Sequence, residues 1–186
     1  MQGSQAAEPA VARRRDVYLA LPLFLLSVMV FLGALTFNRL EWPSFVGDEA
    51  TYLMAGESLA WDLDLSFEAE DYQRFLSHWD REPEGLILLS GDEGRHISFG
   101  KPFFYPLVIA PFQRLPPVRG PFSANALILI LAGIMAGRSL KARLGGVAWL
   151  WVAVYLFASV AFAYIFWAHS DLFLMALTAM ALSLAF

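Results

Sequence analysis

VYLALPLFLLSVMVFLGALTF, from Val17 to Phe37, carries no charge and follows directly on Arg13-Arg14-Arg15-Asp16. As a helix rising 1.5 Å per residue, the run reaches about 31 Å, enough for a bilayer core of roughly 30 Å. It is too long for the apolar core of a signal peptide, and no small-x-small cleavage site follows it. It therefore reads as an uncleaved first membrane span, with Pro22 near its start, where a helix tolerates proline. The three arginines hold that end in the cytoplasm, so the chain beyond Phe37 emerges on the outer face.

The composition agrees. Of 186 residues, 58% are hydrophobic and 16% charged, more apolar than an ordinary soluble domain. The chain has no cysteine, which excludes disulfide and thiolate chemistry. Of its 17 acidic residues, 14 lie between Asn38 and Lys101, whereas basic residues gather at Arg13-Arg14-Arg15 and at Arg138, Lys141 and Arg143. A membrane sorts charge in this way.

The expected organisation is an all-α polytopic membrane protein of about four transmembrane helices with an outer-face loop domain. Residues 1–12 read as a cytoplasmic tail without apolar period. Residues 13–37 form the first span, and 38–101 an acidic outer loop with interfacial helices and boundary tryptophans at 42, 61 and 79. Within that loop, helical spacing predicts a short interfacial helix over Asp48 to Trp61, with Leu53, Met54, Leu59 and Ala60 on one apolar side. A second short helix is expected between Asp62 and Asp80, and a small hairpin between Leu86 and Phe99. Residues 102–117, interrupted by Pro106 and Pro111, are too short to span and predict an interfacial helix. Residues 118–186 hold three further spans. The first runs inward over Phe122 to Gly137 into a basic turn at 138–143, Leu144 to Ala168 returns outward, and Leu172 to Phe186 re-enters as a truncated helix.

This topology puts Asp48 with Glu49, the His96 region, Lys101 and Asp171 on one outer face. Ionisable groups at membrane depth cost about 2.5–3.5 kcal/mol each, so such groups face one another or a cavity. A lone lysine among carboxylates suits a substrate that brings its own negative charge, such as a phosphate, and a carboxylate beside the reacting bond suits a general base.

The stretches GDEATYLMAGESLAWDLDL (residues 47–65) and GKPFFYPLVIAPF (residues 100–112), with an aspartate at the outer end of a later helix, resemble the GT-C membrane glycosyltransferases. The nearest branch is that of the protein mannosyltransferases and aminoarabinose transferases, often called family 39-like. The similarity covers residues 16–186, the N-terminal part of such an enzyme. It implies transfer of a sugar from a polyprenyl-phosphate carrier to a lipid, glycan or protein acceptor on the outer side of the cell membrane, with inversion. By that resemblance Asp48 is the base, Glu49 its acidic neighbour and Asp171 a cavity-lining carboxylate. Lys101 would hold the donor phosphate, with Tyr52 and His96 on the substrate side. Gly100 departs from the glutamate that the aminoarabinose branch tends to carry before this lysine.

Simpler readings compete. Asp48 and Glu49 complement the positive end of a helix dipole, an effect of about 0.3–1 kcal/mol. Lys101 suits a snorkelling side chain, Asp171 a helix cap. His78, His96 and His169 lack metal-ligand spacing and read as loop or interface residues. No cofactor and no metal site are expected, although a divalent cation at Asp48 is compatible with the carboxylates. Nothing suggests nucleic acid. The competing class is a non-catalytic membrane transporter or partner protein with an acidic outer loop.

Overall fold

The computed structural model describes residues 23–36, 45–91, 96–115 and 119–185. The tail, Arg13-Arg14-Arg15, Trp42 and both ends of the expected first span lie outside them. The chain is mostly helical, at 72%. Eight helices can be placed among the described residues: α1 (Leu23–Thr36), α2 (Asp48–Trp61), α3 (Ala69–Trp79), α4 (Phe104–Gln113), α5 (Gly120–Leu144), α6 (Ala148–Phe157), α7 (Ala161–Tyr164) and α8 (Ser170–Ala185). Two small sheets complete it. β1 (Phe45–Val46) pairs in parallel with β2 (Pro83–Glu84), and β3 (Leu88–Gly91) pairs antiparallel with β4 (His96–Phe99).

Among the described residues, one helical stretch, within Gly120–Phe157, is long and apolar enough to cross a membrane, and it supports association with one. α1 and α8 are apolar but shorter. The 25 residues of α5 continue through Arg138, Lys141 and Arg143. The expected basic turn is thus the end of a helix. Lysine and arginine are good helix formers and favour the negative end of the dipole. Reversal comes two residues later, where Gly145 takes φ +58°, a conformation that favours glycine. The helix α6 then folds back, so that Trp149 crowds Gly137 and Leu156 packs on Gly133.

The expected return span over residues 144–168 is broken. The α6 helix stops at Phe157, where Ser159 Oγ donates back to the Tyr155 carbonyl at 2.6 Å and accepts the Ala161 N–H at 3.2 Å. Beyond it the backbone tightens into i→i+3 bonds, such as Ile165 N to Phe162 O and Trp167 N to Tyr164 O, both 3.3 Å.

Helix α2 has the bounds its sequence predicts, but a different setting. Almost every residue from Glu49 to Ala60 is buried, so it is a core element and not one apolar side laid on an interface. It runs parallel to α4. Tyr52 meets Tyr105 edge-on at 5.2 Å near their starts, Gly56 faces Ile109 and Gln113 midway, and Arg114 Nε donates to the Ala60 carbonyl at 2.8 Å at their ends. That last contact sets a cation on carbonyls a helix end leaves unpaired.

Helix α3 docks on the C-terminal end of α2. Its start is a capping box, in which the Glu68 N–H donates to Asp71 Oδ2 at 2.9 Å. Its apolar face brings Phe75 and Trp79 against Phe45, with ring centroids 5.7 and 4.8 Å away. The Trp79 indole N–H donates at 3.0 Å to Glu57 Oε1, a buried carboxylate oxygen that also lies 3.1 Å from His78 Nδ1.

The close α5–α6 contact yields a stability test. Gly137→Ala places a methyl group against the Trp149 ring, and overpacking of this kind costs about 1–3 kcal/mol. A lower thermal midpoint in detergent is expected. Gly33→Ala, with open space around the added carbon, is expected to leave the midpoint unchanged or raise it.

Candidate functional site at the starts of α2, α4 and α8

Gly47 begins the site. With φ +60° and ψ −116° it precedes α2 in a conformation glycine adopts without strain, and its N–H donates to the Glu84 carbonyl at 2.8 Å. One turn on, Thr51 Oγ1 donates to the Gly47 carbonyl at 2.8 Å and accepts the Ile87 N–H at 3.0 Å. The first turn of α2, and Asp48 with it, is thereby tied to the strand that leads into the hairpin.

The hairpin delivers Lys101. Residues 65–67 pair with β4 through Phe67 N to Ile97 O at 2.8 Å and Phe99 N to Leu65 O at 3.1 Å, and Gly100 N donates to Ile87 O at 2.8 Å. A β-carbon at Gly100 would sit 3.1 Å from both the side chain and the carbonyl oxygen of Ile87. The approach is tight, so that any side chain here would require Ile87 to give way by a few tenths of an ångström. Lys101 then reaches Asp48, with Nζ 2.7 Å from Oδ2.

The third contribution comes from the start of α8. His169 Nε2 lies 3.3 Å from Asp48 Oδ2, and His169 Nδ1 lies 3.3 Å from Asp171 Oδ1. The Tyr52 hydroxyl donates to Ser170 Oγ at 3.0 Å. Its ring stands edge-on to His169 at 5.9 Å, with Lys101 Nζ 6.0 Å from its centroid. Asp48, Lys101, Tyr52 and Asp171 are thus brought to one place, with the Asp48 and Lys101 side chains a third or less exposed.

Glu49 is buried beside Asp48 in the first turn of α2. One expected residue stands elsewhere. His96 is exposed opposite Gly91 on the hairpin and has no contact with Asp48, Lys101 or Asp171. His169, in contrast, reads as a loop residue in sequence and is central in the structure. Its signal was the polar triplet His169-Ser170-Asp171 between two apolar runs.

A buried layer supports the cluster. The Tyr105 hydroxyl donates to Asn125 Oδ1 at 3.1 Å, and burial, reinforced by Glu49, pushes this hydroxyl above its ordinary range, so that it remains a donor. Asn125 Nδ2 faces the carbonyls of Trp167, Ile165 and Tyr164 at 3.0, 3.3 and 3.4 Å. One amide thus satisfies the irregular backbone that carries His169. Among the described residues, no group of three or more histidine and carboxylate side chains is arranged to hold a metal ion, and the amine of Lys101 sits where a cation on Asp48 Oδ2 would bind.

No family model, curated protein or solved structure matches the chain.

Asn125 is the residue through which this layer can be tested. Asn125→Leu strands the Ile165 carbonyl and the Tyr105 hydroxyl, and buried groups left unsatisfied cost about 1–3 kcal/mol each. The expected result is a lower thermal midpoint together with faster amide hydrogen exchange over residues 164–171. Unchanged exchange there would show that the segment is held by other means.

Proposed function

We propose that this chain carries the site of an integral-membrane glycosyltransferase of GT-C type, acting on a sugar linked to a polyprenyl phosphate. The observation that carries the reading is the meeting of three distant segments at Asp48 Oδ2, where Lys101 Nζ lies at 2.7 Å and His169 Nε2 at 3.3 Å, with Asp171 Oδ1 3.3 Å from the other ring nitrogen. A transporter or inert partner protein gives no reason for a lysine and a carboxylate-backed imidazole to converge on one aspartate oxygen.

The chemistry follows from the groups. The acceptor's hydroxyl or amine attacks the anomeric carbon while the bond from that carbon to the phosphate oxygen breaks, its electron pair leaving on the phosphate. Asp48 accepts the acceptor's proton, a contribution of about 10²–10⁴-fold for a well-placed base. Lys101 stabilises the departing phosphate as a point charge. The two are paired at 2.7 Å. A donor phosphate that draws Lys101 toward itself loosens its hold on Asp48, so donor binding and base release are one event. The polytopic arrangement, with four spans, a cytoplasmic N-terminus and the site on the outer face of the cell membrane, belongs to the same reading, as do membrane lipids as its surroundings.

Purified protein in lipid, incubated with a panel of labelled polyprenyl-phosphate sugars, tests it. Asp48→Asn is expected to lower transfer by about 100-fold or more, and Lys101→Ala to raise the KM for the donor. Wild-type transfer by a normally expressed Asp48→Asn protein would remove Asp48 from the base's role.

A further inference from the structure

The environment of His169 is more specific than a loop or interface residue requires. Its side chain is 17% exposed and lies between two carboxylates, Nε2 toward Asp48 Oδ2 and Nδ1 toward Asp171 Oδ1, each at 3.3 Å. The ring is boxed by Trp167 at 4.9 Å, Tyr52 at 5.9 Å and Tyr164 at 6.3 Å. Its backbone is fixed as well, since the His169 N–H donates at 2.9 Å to the Trp167 carbonyl that also accepts from Asn125. Both Lys101 and His169 approach the same oxygen of Asp48, Oδ2. Among the described residues, Oδ1 is the oxygen left to meet an incoming group.

We infer that His169 is a positioning residue that joins Asp48 to Asp171, so that Asp171 acts on the reaction through the imidazole and not by touching substrate. The inference rests on the glycosyl-transfer reading for what Asp48 does, but the three-residue link stands on geometry. Nδ1 accepts the Asp171 backbone N–H at 3.3 Å, and the Asp171 carboxylate oxygen Oδ1 lies at the same distance. A ring protonated at Nδ1 donates to the carboxylate and turns the lone pair of Nε2 toward Asp48. A ring protonated at Nε2 donates to Asp48 and accepts the backbone N–H. Asp171 therefore sets which nitrogen faces Asp48 with a proton.

In the first of these forms the ring can clear the base. After Asp48 has taken the acceptor's proton at Oδ1, a half-turn of the carboxyl group about Cβ–Cγ brings that proton to Nε2, which accepts it as the O–H bond breaks. This restores the Asp48 carboxylate and leaves an imidazolium whose Nδ1–H is held by the Asp171 carboxylate. The proton then leaves to water at the partly exposed edge. The charged or titratable groups facing the ring are Asp48 and Tyr52 from α2, Lys101 from the strand end, Tyr164 from α7 and Asp171 from α8.

The test uses the full chain in lipid with ¹⁵N-labelled histidine rings, and His169→Gln to assign the signal. At fixed pH, Asp48→Asn is expected to move the Nε2 resonance of His169, and Asp171→Asn the Nδ1 resonance. A ring signal unmoved by either change overturns the link, whether or not any sugar is transferred. With an active donor, His169→Gln and Asp171→Asn are each expected to lower kcat about tenfold or more while the donor KM stays nearly constant. The double variant should be no slower than either single one, and the slope of rate against pH should flatten in both. Losses that multiply in the double variant would instead make Asp171 an independent contributor and overturn the inference. Absence of transfer from every donor by the wild-type protein would defeat the reaction assigned to Asp48 but leave the resonance test decisive for the ring.

Discussion

A backbone that leaves the helical hydrogen-bond pattern among apolar helices must find donors for its carbonyls, because an unpaired buried carbonyl costs as much as a lost hydrogen bond. Asn125 meets that constraint. Its amide serves the carbonyls at 164, 165 and 167, and its own oxygen takes the Tyr105 hydroxyl. The departure from helix has a use: it lets His169, Ser170 and Asp171 face the start of α2.

From there the dependence runs outward through side chains. Tyr105 connects Asn125 to Tyr52, and Tyr52 connects to Ser170, one residue from the imidazole that meets Asp48. Helix α2 is buried on nearly all sides because this layer, α4 and α3 each take one of its faces. A helix so enclosed holds its first turn rigidly, and its first turn carries Asp48. The hairpin completes the arrangement from the other direction, since its close approach to Ile87 fixes where Lys101 emerges.

Local pattern made much of this legible. Apolar spacing located α2, the prolines marked 102–117 as too short to span, and the Ser-Gly-rich stretch after Leu89 announced the hairpin. The charge asymmetry collected Asp48, Lys101 and Asp171 on one face, where the structure does join them. What local pattern could not carry was partnership at long range. Nothing near Leu53 or Met54 indicates that Ile109 and Gln113 cover the opposite face of α2. Arg138, Lys141 and Arg143 suggest a turn by charge, yet their helix propensity and the glycine at 145 move the turn past them. The irregular backbone at 164–167 is met by an amide about forty residues earlier, at Asn125, and the place of His169 follows from that segment.

The parallel pair α2 and α4 is stapled at both ends, by Lys101 with Asp48 at the start and by Arg114 with the Ala60 carbonyl at the finish. Two staples about a turn-for-turn aligned pair remove sliding and splaying alike, and the pair moves as one body. Along the seam with α8, the Tyr52–Ser170 bond and the imidazole contact join Asp48's surroundings to a helix start that carries no such cationic staple. The first turn of α2 is thus held by unlike fastenings: charge against α4's side, a hydroxyl and a ring against α8.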